Sequence, residues 1–154
     1  SDGEIGLEAS SRVRGIVLHN ILSHIMVPED LGPAVESAFE SGEINADEKS
    51  QVYAMLKKGI ANASARGWFP QDPSKVRNEA SLLDTDGQVY RPDRVIFSDK
   101  GVIIVDYKFA EKKDSYLRQI GRYAAIYHRM GYQNVSASLW YVDTGEVVDS
   151  SELF

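Results

Sequence analysis

The chain has 154 residues, 43% of them hydrophobic and 26% charged, the composition of a single globular domain with one core. It has no cysteine, which excludes disulfides, thiolate metal sites, iron–sulfur clusters and a cysteine nucleophile. Seventeen Lys and Arg stand against 23 Asp and Glu, and the net charge of −6 argues against a surface that grips nucleic acid everywhere while leaving room for a local basic groove.

The opening Ser-Asp-Gly-Glu-Ile-Gly has neither the basic nor the apolar segment of a secretory signal. No stretch approaches the roughly 18 apolar residues of a membrane span, so no membrane association is expected. The two ends read as those of a piece cut from a longer chain. Ser10 and Ser11 offer helix caps, and Val13, Ile16, Val17, Ile21 and Ile25 recur at helical spacing until Pro28. Residues 30–41 form a second helical pattern, with Leu31, Val35, Ala38 and Phe39 on one face and Gly42 as its stop. Asn45-Ala-Asp-Glu48 has the form of a capping box for a third helix, carried by Val52, Met55, Leu56 and Ile60 to about Arg66 and closed by Gly67.

The texture changes at Lys75. Residues 75–83 read as a strand, and Asp84-Thr-Asp-Gly87 as a turn. Residues 89–97 read as a second strand, interrupted by Arg91-Pro92. After a turn at Ser98–Gly101, residues 102–109 are a third strand, whose Val-Ile-Ile-Val opening suits a strand covered on both faces. Asp114 caps a long helix with Leu117, Ile120, Ala124 and Tyr127 at helical spacing, ending at Gly131. Residues 135–142 are a fourth strand, and a short fifth follows around Val147. This order, without repeat or linker, predicts one α/β domain, helical over 1–70 and mixed over 71–154.

Asp106 and Lys108 stand two apart on the third strand and therefore share a face. A charge drawn into a covered strand costs several kcal/mol unless it is paired or bound to a metal. The pair either marks the strand's solvated end or faces a cleft, with Asp106 on a divalent cation and Lys108 holding a water or a developing phosphate charge. A hairpin turning at Ser98–Gly101 can bring Asp93 beside Asp106, and two such carboxylates repel unless a cation sits between them. Oxygen ligands suit Mg²⁺ or Mn²⁺. Glu79 offers a third carboxylate on the first strand, or is simply solvated. His19 stands on the apolar first helix, one turn after Gly15, as a core histidine or a nitrogen ligand. His24 and His128 read as surface. Gln119 and Tyr123 share a helix face, with Arg118 and Arg122 beside them and Lys112 and Lys113 upstream; this most basic stretch predicts phosphate contact.

Together these elements resemble the PD-(D/E)xK nuclease superfamily, most closely the RecB-type nuclease domain at the C-terminus of RecB and AddA helicase–nucleases of the UvrD-like class. The resemblance is carried by Gly15…His19, Glu79, Arg91-Pro-Asp93, Val105-Asp-Tyr-Lys108 and Gln119-x-x-x-Tyr123, spread in order over most of the chain. It implies a restriction-endonuclease-like core, a mixed central sheet flanked by helices, with a helical N-terminal segment. It also implies that His19, Asp93 and Asp106 hold Mg²⁺ or Mn²⁺, with the backbone carbonyl of Tyr107 completing the set. Lys108 would be the catalytic lysine and Glu79 an accessory acid, while Gln119 and Tyr123 would shape the site and touch the DNA strand.

The implied activity is metal-dependent hydrolysis of DNA, exonucleolytic on a single strand, in an ATP-dependent helicase–nuclease of double-strand break repair and recombination. The implied partners are helicase motor domains of the same chain and a second helicase–nuclease subunit, in the bacterial cytoplasm. AddB-type members carry a cysteine-ligated iron–sulfur cluster; a chain without Cys resembles the AddA/RecB branch, and no cluster is expected. The net charge of −6 fits a module whose DNA is delivered by a motor. Two alternatives stay open: a nuclease-like scaffold or DNA guide that does not cut, and a free-standing restriction- or phage-type nuclease. A decayed scaffold should lack at least one of Asp93, Asp106 and Lys108, and all three are present.

Overall fold

The computed structural model describes residues 14–109 and 111–150. The expected caps Ser10 and Ser11, with Val13, lie outside the described residues.

Three helices lead. α1 covers residues 14–23. A 3₁₀ turn at Pro28–Asp30 feeds α2, Leu31–Glu40. α3, Ala46–Ser64, starts with the expected capping box: the Asn45 side chain accepts from the Glu48 N–H at 2.9 Å, and the Glu48 carboxylate accepts from the Asn45 N–H at 2.9 Å. The glycines foreseen as stops, Gly42, Gly67 and Gly131, adopt positive φ.

The strands are β1 Val76–Asn78, β2 Leu82–Leu83, β3 Val89–Tyr90, β4 Arg94–Ser98, β5 Gly101–Lys108, β6 Val135–Tyr141 and β7 Glu146–Asp149. The long helix α4, Asp114–Arg129, connects β5 to β6. The main sheet runs β1-β4-β5-β6-β7, with β5 and β6 parallel and the other neighbours antiparallel. The fold is α/β with a mixed five-stranded sheet flanked by helices, consistent with a restriction-endonuclease-like core.

Side-chain alternation divides β5 between two cores. Val105 and Tyr107 pack with Leu18, Ile21 and Leu22 of α1 and Leu56 and Ile60 of α3. Val102 and Ile104 pack with Ile120, Ala124 and Tyr127 of α4. β5 is therefore covered on both faces, as its apolar run requires.

Three expectations are corrected. The strand expected over 75–83 is two strands: β1 ends at Asn78, Glu79 turns to φ 55°, and β2 pairs with β3 in a separate two-stranded sheet. The strand expected over 89–97 is likewise β3 and β4, broken where Pro92 has no N–H to give to a ladder. Asp114 does not cap α4; Lys113 occupies that position without a side-chain hydrogen bond, and Asp114 is the first helical residue, favourably placed against the helix dipole.

Candidate functional site

The site forms where β4 begins and β5 ends. In the β4–β5 pairing Arg94 faces Val105, so the residue before β4, Asp93, reaches past the end of the ladder to Asp106 and Tyr107. The Asp93 N–H donates to Asp106 Oδ1 at 3.3 Å, and Asp93 Oδ2 accepts from the Tyr107 N–H at 2.8 Å. Val142 donates to the Lys108 carbonyl on the β6 side at 3.1 Å. Strand alternation thus turns the peptide groups of Tyr107, carbonyl included, toward Asp93.

Asp106 and Lys108 share the α4 face, as their spacing predicts. Lys108 Nζ stands 3.0 Å from Asp106 Oδ2 and donates to Gln119 Oε1 at 3.2 Å. The Tyr116 ring lies under the ammonium at 4.2 Å. Three α4-side contacts therefore hold the lysine in one place.

His19 arrives from α1. Its Nε2 lies 2.6 Å from Asp93 Oδ1, and its Nδ1 lies 3.7 Å from Glu79 Oε1. Gly15 lets α1 approach: a Cβ there would stand 3.2 Å from Cβ of Phe109, just beyond β5. Glu79 is exposed and lies one residue past β1 rather than on it, in a left-handed conformation held by its N–H bond to the Asp93 carbonyl at 3.1 Å. A non-glycine residue held there stores roughly 1 kcal/mol or more of strain.

The electrostatics follow. Burial pushes the Asp106 carboxyl up to about 7; the Asp93 charge and the hydrogen bond between the two carboxyls add to this, and Lys108 works against it. Burial also opposes ionisation of Asp93, yet the hydrogen bonds with His19 and Asp106, the His19 charge and the Tyr107 N–H hold it below the usual range. His19 is raised, chiefly by its hydrogen bond to Asp93, against a lowering by burial.

Arg94 is the member of the site that sequence patterns did not single out. It is 0% exposed and forms no ion pair among the described residues. It donates to the carbonyls of Trp68 at 2.7 Å, Ile25 at 2.6 Å and Met26 at 2.7 Å, and stacks on Phe69 at 3.8 Å. Asn78 Nδ2 donates to the carbonyls of Ser23 and Ile25 at 3.1 and 3.0 Å. The carbonyls at the end of α1, which lack helical partners, are thus bound by β1 and β4. His19 is thereby fixed to the strand that carries Asp93. An Arg next to Asp93 in an otherwise apolar strand was the available signal.

The remaining residues are distributed as follows. Gln119 is exposed beside Lys108. Tyr123 is 4% exposed, its ring set edge-on to Tyr90 at 6.1 Å. It belongs to the core on the α4 side, where its ring can shape the site. Arg118 and Arg122 are exposed on α4, and His24 and His128 are exposed as expected. The Tyr107 hydroxyl is buried without a hydrogen-bond partner among the described residues, so any ligand role falls to its carbonyl.

Among the described residues no three or more His, Asp or Glu side chains converge as a ready-made cage for a metal ion. His19 is bonded directly to Asp93, and Asp106 is bonded to Lys108. The donor chemistry nevertheless fits Mg²⁺ or Mn²⁺: one imidazole, two carboxylates forced together and a carbonyl on the same side. Two neighbouring ligands at about 2.1 Å from an octahedral ion stand about 3 Å apart. His19 and Asp93, at 2.6 Å, need only a small separation to reach that.

No protein-family model matches the chain, and no curated protein matches it. No helix among the described residues is long and apolar enough to cross a membrane.

Proposed function

We propose that the chain is a PD-(D/E)xK-type deoxyribonuclease domain that hydrolyses phosphodiester bonds with Mg²⁺ or Mn²⁺, acting on single-stranded DNA as the nuclease module of a helicase–nuclease. One observation carries the reading: a buried carboxylate, Asp106, and a half-buried one, Asp93, meet at the ends of neighbouring strands, with an ammonium on the first and an imidazole on the second.

Phosphodiester hydrolysis needs an attacking hydroxide, neutralised charge at phosphorus and a stabilised leaving oxygen. A bound divalent cation lowers the pKa of its water and neutralises phosphate charge. His19, Asp93, Asp106 and the Tyr107 carbonyl would hold it. Lys108, fixed by Asp106, Gln119 and the Tyr116 ring, would orient the attacking water or meet the charge that develops on the phosphate. Glu79, hydrogen-bonded through its backbone to Asp93, would add negative charge that keeps His19 oriented toward the site. Asp106, with a pKa of about 7, would shed its proton where a cation takes its place.

A non-cutting, nuclease-like DNA guide is favoured by one fact, the direct His19–Asp93 bond that stands where a cage would be. Cleavage of a labelled single strand separates the two. The nuclease reading expects Mg²⁺-dependent cutting that Asp106→Ala abolishes with the fold retained. Cutting by Asp106→Ala at the parental rate contradicts the assigned roles.

A further inference from the structure

The β2–β3 hairpin is rooted in the site. Its two ends are Glu79 and Asp93, joined by a backbone hydrogen bond of 3.1 Å, so residues 80–92 project from the carboxylates as a finger. The finger lies on α4: Leu82 and Tyr90 pack into the core on that side, Arg122 donates to the Tyr90 hydroxyl at 2.8 Å, and Arg129 pairs with Asp84. Between finger and helix runs a groove of about 630 Å³, lined by Arg118, Gly121, Arg122, Ala125 and Arg129 and by the turn at 84–86.

We propose that this groove binds the phosphodiester backbone of a single nucleic-acid strand beyond the scissile position, with Arg118 and Arg122 as its phosphate contacts. The inference rests on the nuclease reading and extends it. α4 carries three arginines and one aspartate in a chain of net charge −6, so the local sign is opposite to that of the whole. Arg118 and Arg122 stand one turn apart, about 6 Å along the helix axis. Gly121 and Ala125 leave room beside them. Arg118 has no hydrogen bond or ion pair among the described residues. Asp84 is neutralised by Arg129, and the Asp86 carboxylate lies against the Tyr90 hydroxyl at 3.4 Å.

The groove lies beside the reaction centre. Gln119, the neighbour of Arg118, bonds Lys108, and Tyr90 rests on Tyr123. Its two walls are tied together by Arg129–Asp84 and Arg122–Tyr90, which favours one strand over a duplex. Its volume falls within the roughly 300–1,000 Å³ of small-molecule sites, room for a short piece of one strand. The opposite face of the finger is apolar: Leu83 and Val89 are cross-strand partners, 71% and 60% exposed.

The test is fluorescence anisotropy of a labelled oligothymidylate with the whole chain, titrated at several salt concentrations without divalent metal, so that nothing is cut. Each phosphate contact on a single strand adds about 0.7 to the slope of log K against log salt. Arg118→Ala is expected to reduce the slope by about 0.7, and Arg118→Ala with Arg122→Ala by about 1.4. Parental binding that is undetectable at low salt, or a slope that neither variant changes, overturns the groove. So does a loss of binding confined to Leu83→Ser with Val89→Ser, which would put the strand on the other face. The melting shift with Mn²⁺ is read in parallel on the same protein preparations without DNA. A reduced slope with no parental Mn²⁺ shift leaves the groove standing and removes the nuclease reading; an Mn²⁺ shift with an unchanged slope does the reverse.

Discussion

Arg94 donates to the carbonyl of Ile25 at 2.6 Å, across 69 positions of the chain. This bond and its companion to Met26 join the chain just after α1 to the first residue of β4, and the bond to Trp68 adds the segment that follows α3. Asp93 precedes Arg94, and His19 lies one turn inside α1, so the clamp sets the His19–Asp93 contact. Arg94→Ala takes the donor from the Trp68 and Met26 carbonyls, leaves Ile25 with Asn78 alone, and empties a fully enclosed position. The expected cost is about 3 kcal/mol or more. For a domain of this size that is a fall in Tm of roughly 6–12 °C, measured by a thermal melt.

The metal-free chain is expected to lose stability as pH rises from about 5 to about 8. Asp106 holds its proton up to about 7 in the folded chain, against 3.8 when unfolded, so the folded state binds more protons between these values and stability falls as pH rises through them. His19, also raised, contributes stability below its unfolded value of 6.5 and loses it as pH rises through the folded value. Asp93, lowered, acts in the opposite sense, but only in acid, below about its unfolded 3.8. A cation competes with the protons on His19 and Asp106, so the Mn²⁺ melting shift should be larger near pH 8 than near pH 6. A Tm that is flat or rises over this range would contradict the carboxylate pairing.

Asp106→Asn keeps the shape of the side chain and removes the desolvated charge beside Asp93. At pH 8 without metal it is expected to melt a few degrees above the parent while losing Mg²⁺-dependent cleavage and the Mn²⁺ shift. A variant that is both less stable and fully active would reverse the reading of this position.

Glu79→Gly relaxes the left-handed backbone at φ 55°. It is expected to match or exceed the parent in Tm by a few degrees, whereas Glu79→Ala is not. Both should weaken cleavage, because both remove the carboxylate beside His19. Equal melting of the two variants would show that the conformation is unstrained.

The parts of this arrangement that were legible in the sequence are those set by short-range periodicity. The shared face of Asp106 and Lys108 follows from strand alternation, and the start of α3 from Asn45 and Glu48 three residues apart. The convergence of Asp93 on Asp106 follows from one hairpin turn at Ser98–Gly101. What was not legible is enforced from a distance. The break at Glu79 needs a φ that glutamate does not choose, held by the Asp93 carbonyl. Arg94 reads as an ordinary polar strand residue because its partners are backbone carbonyls from α1 and from Trp68, which leave no side-chain pattern. The basic character of Arg118 and Arg122 was visible, and so was the turn at Asp84–Gly87, but that β2 and β3 leave the main sheet at Glu79 and at Pro92 to form a finger over α4 was not.

The most direct test is a crystal of the chain soaked in Mn²⁺ and read by anomalous scattering. One peak is expected at about 2.1 Å from His19 Nε2, a carboxylate oxygen of Asp93 and one of Asp106, with the His19–Asp93 bond opened to admit it. Full soaking with no peak, and that bond still closed at 2.6 Å, would contradict that expectation.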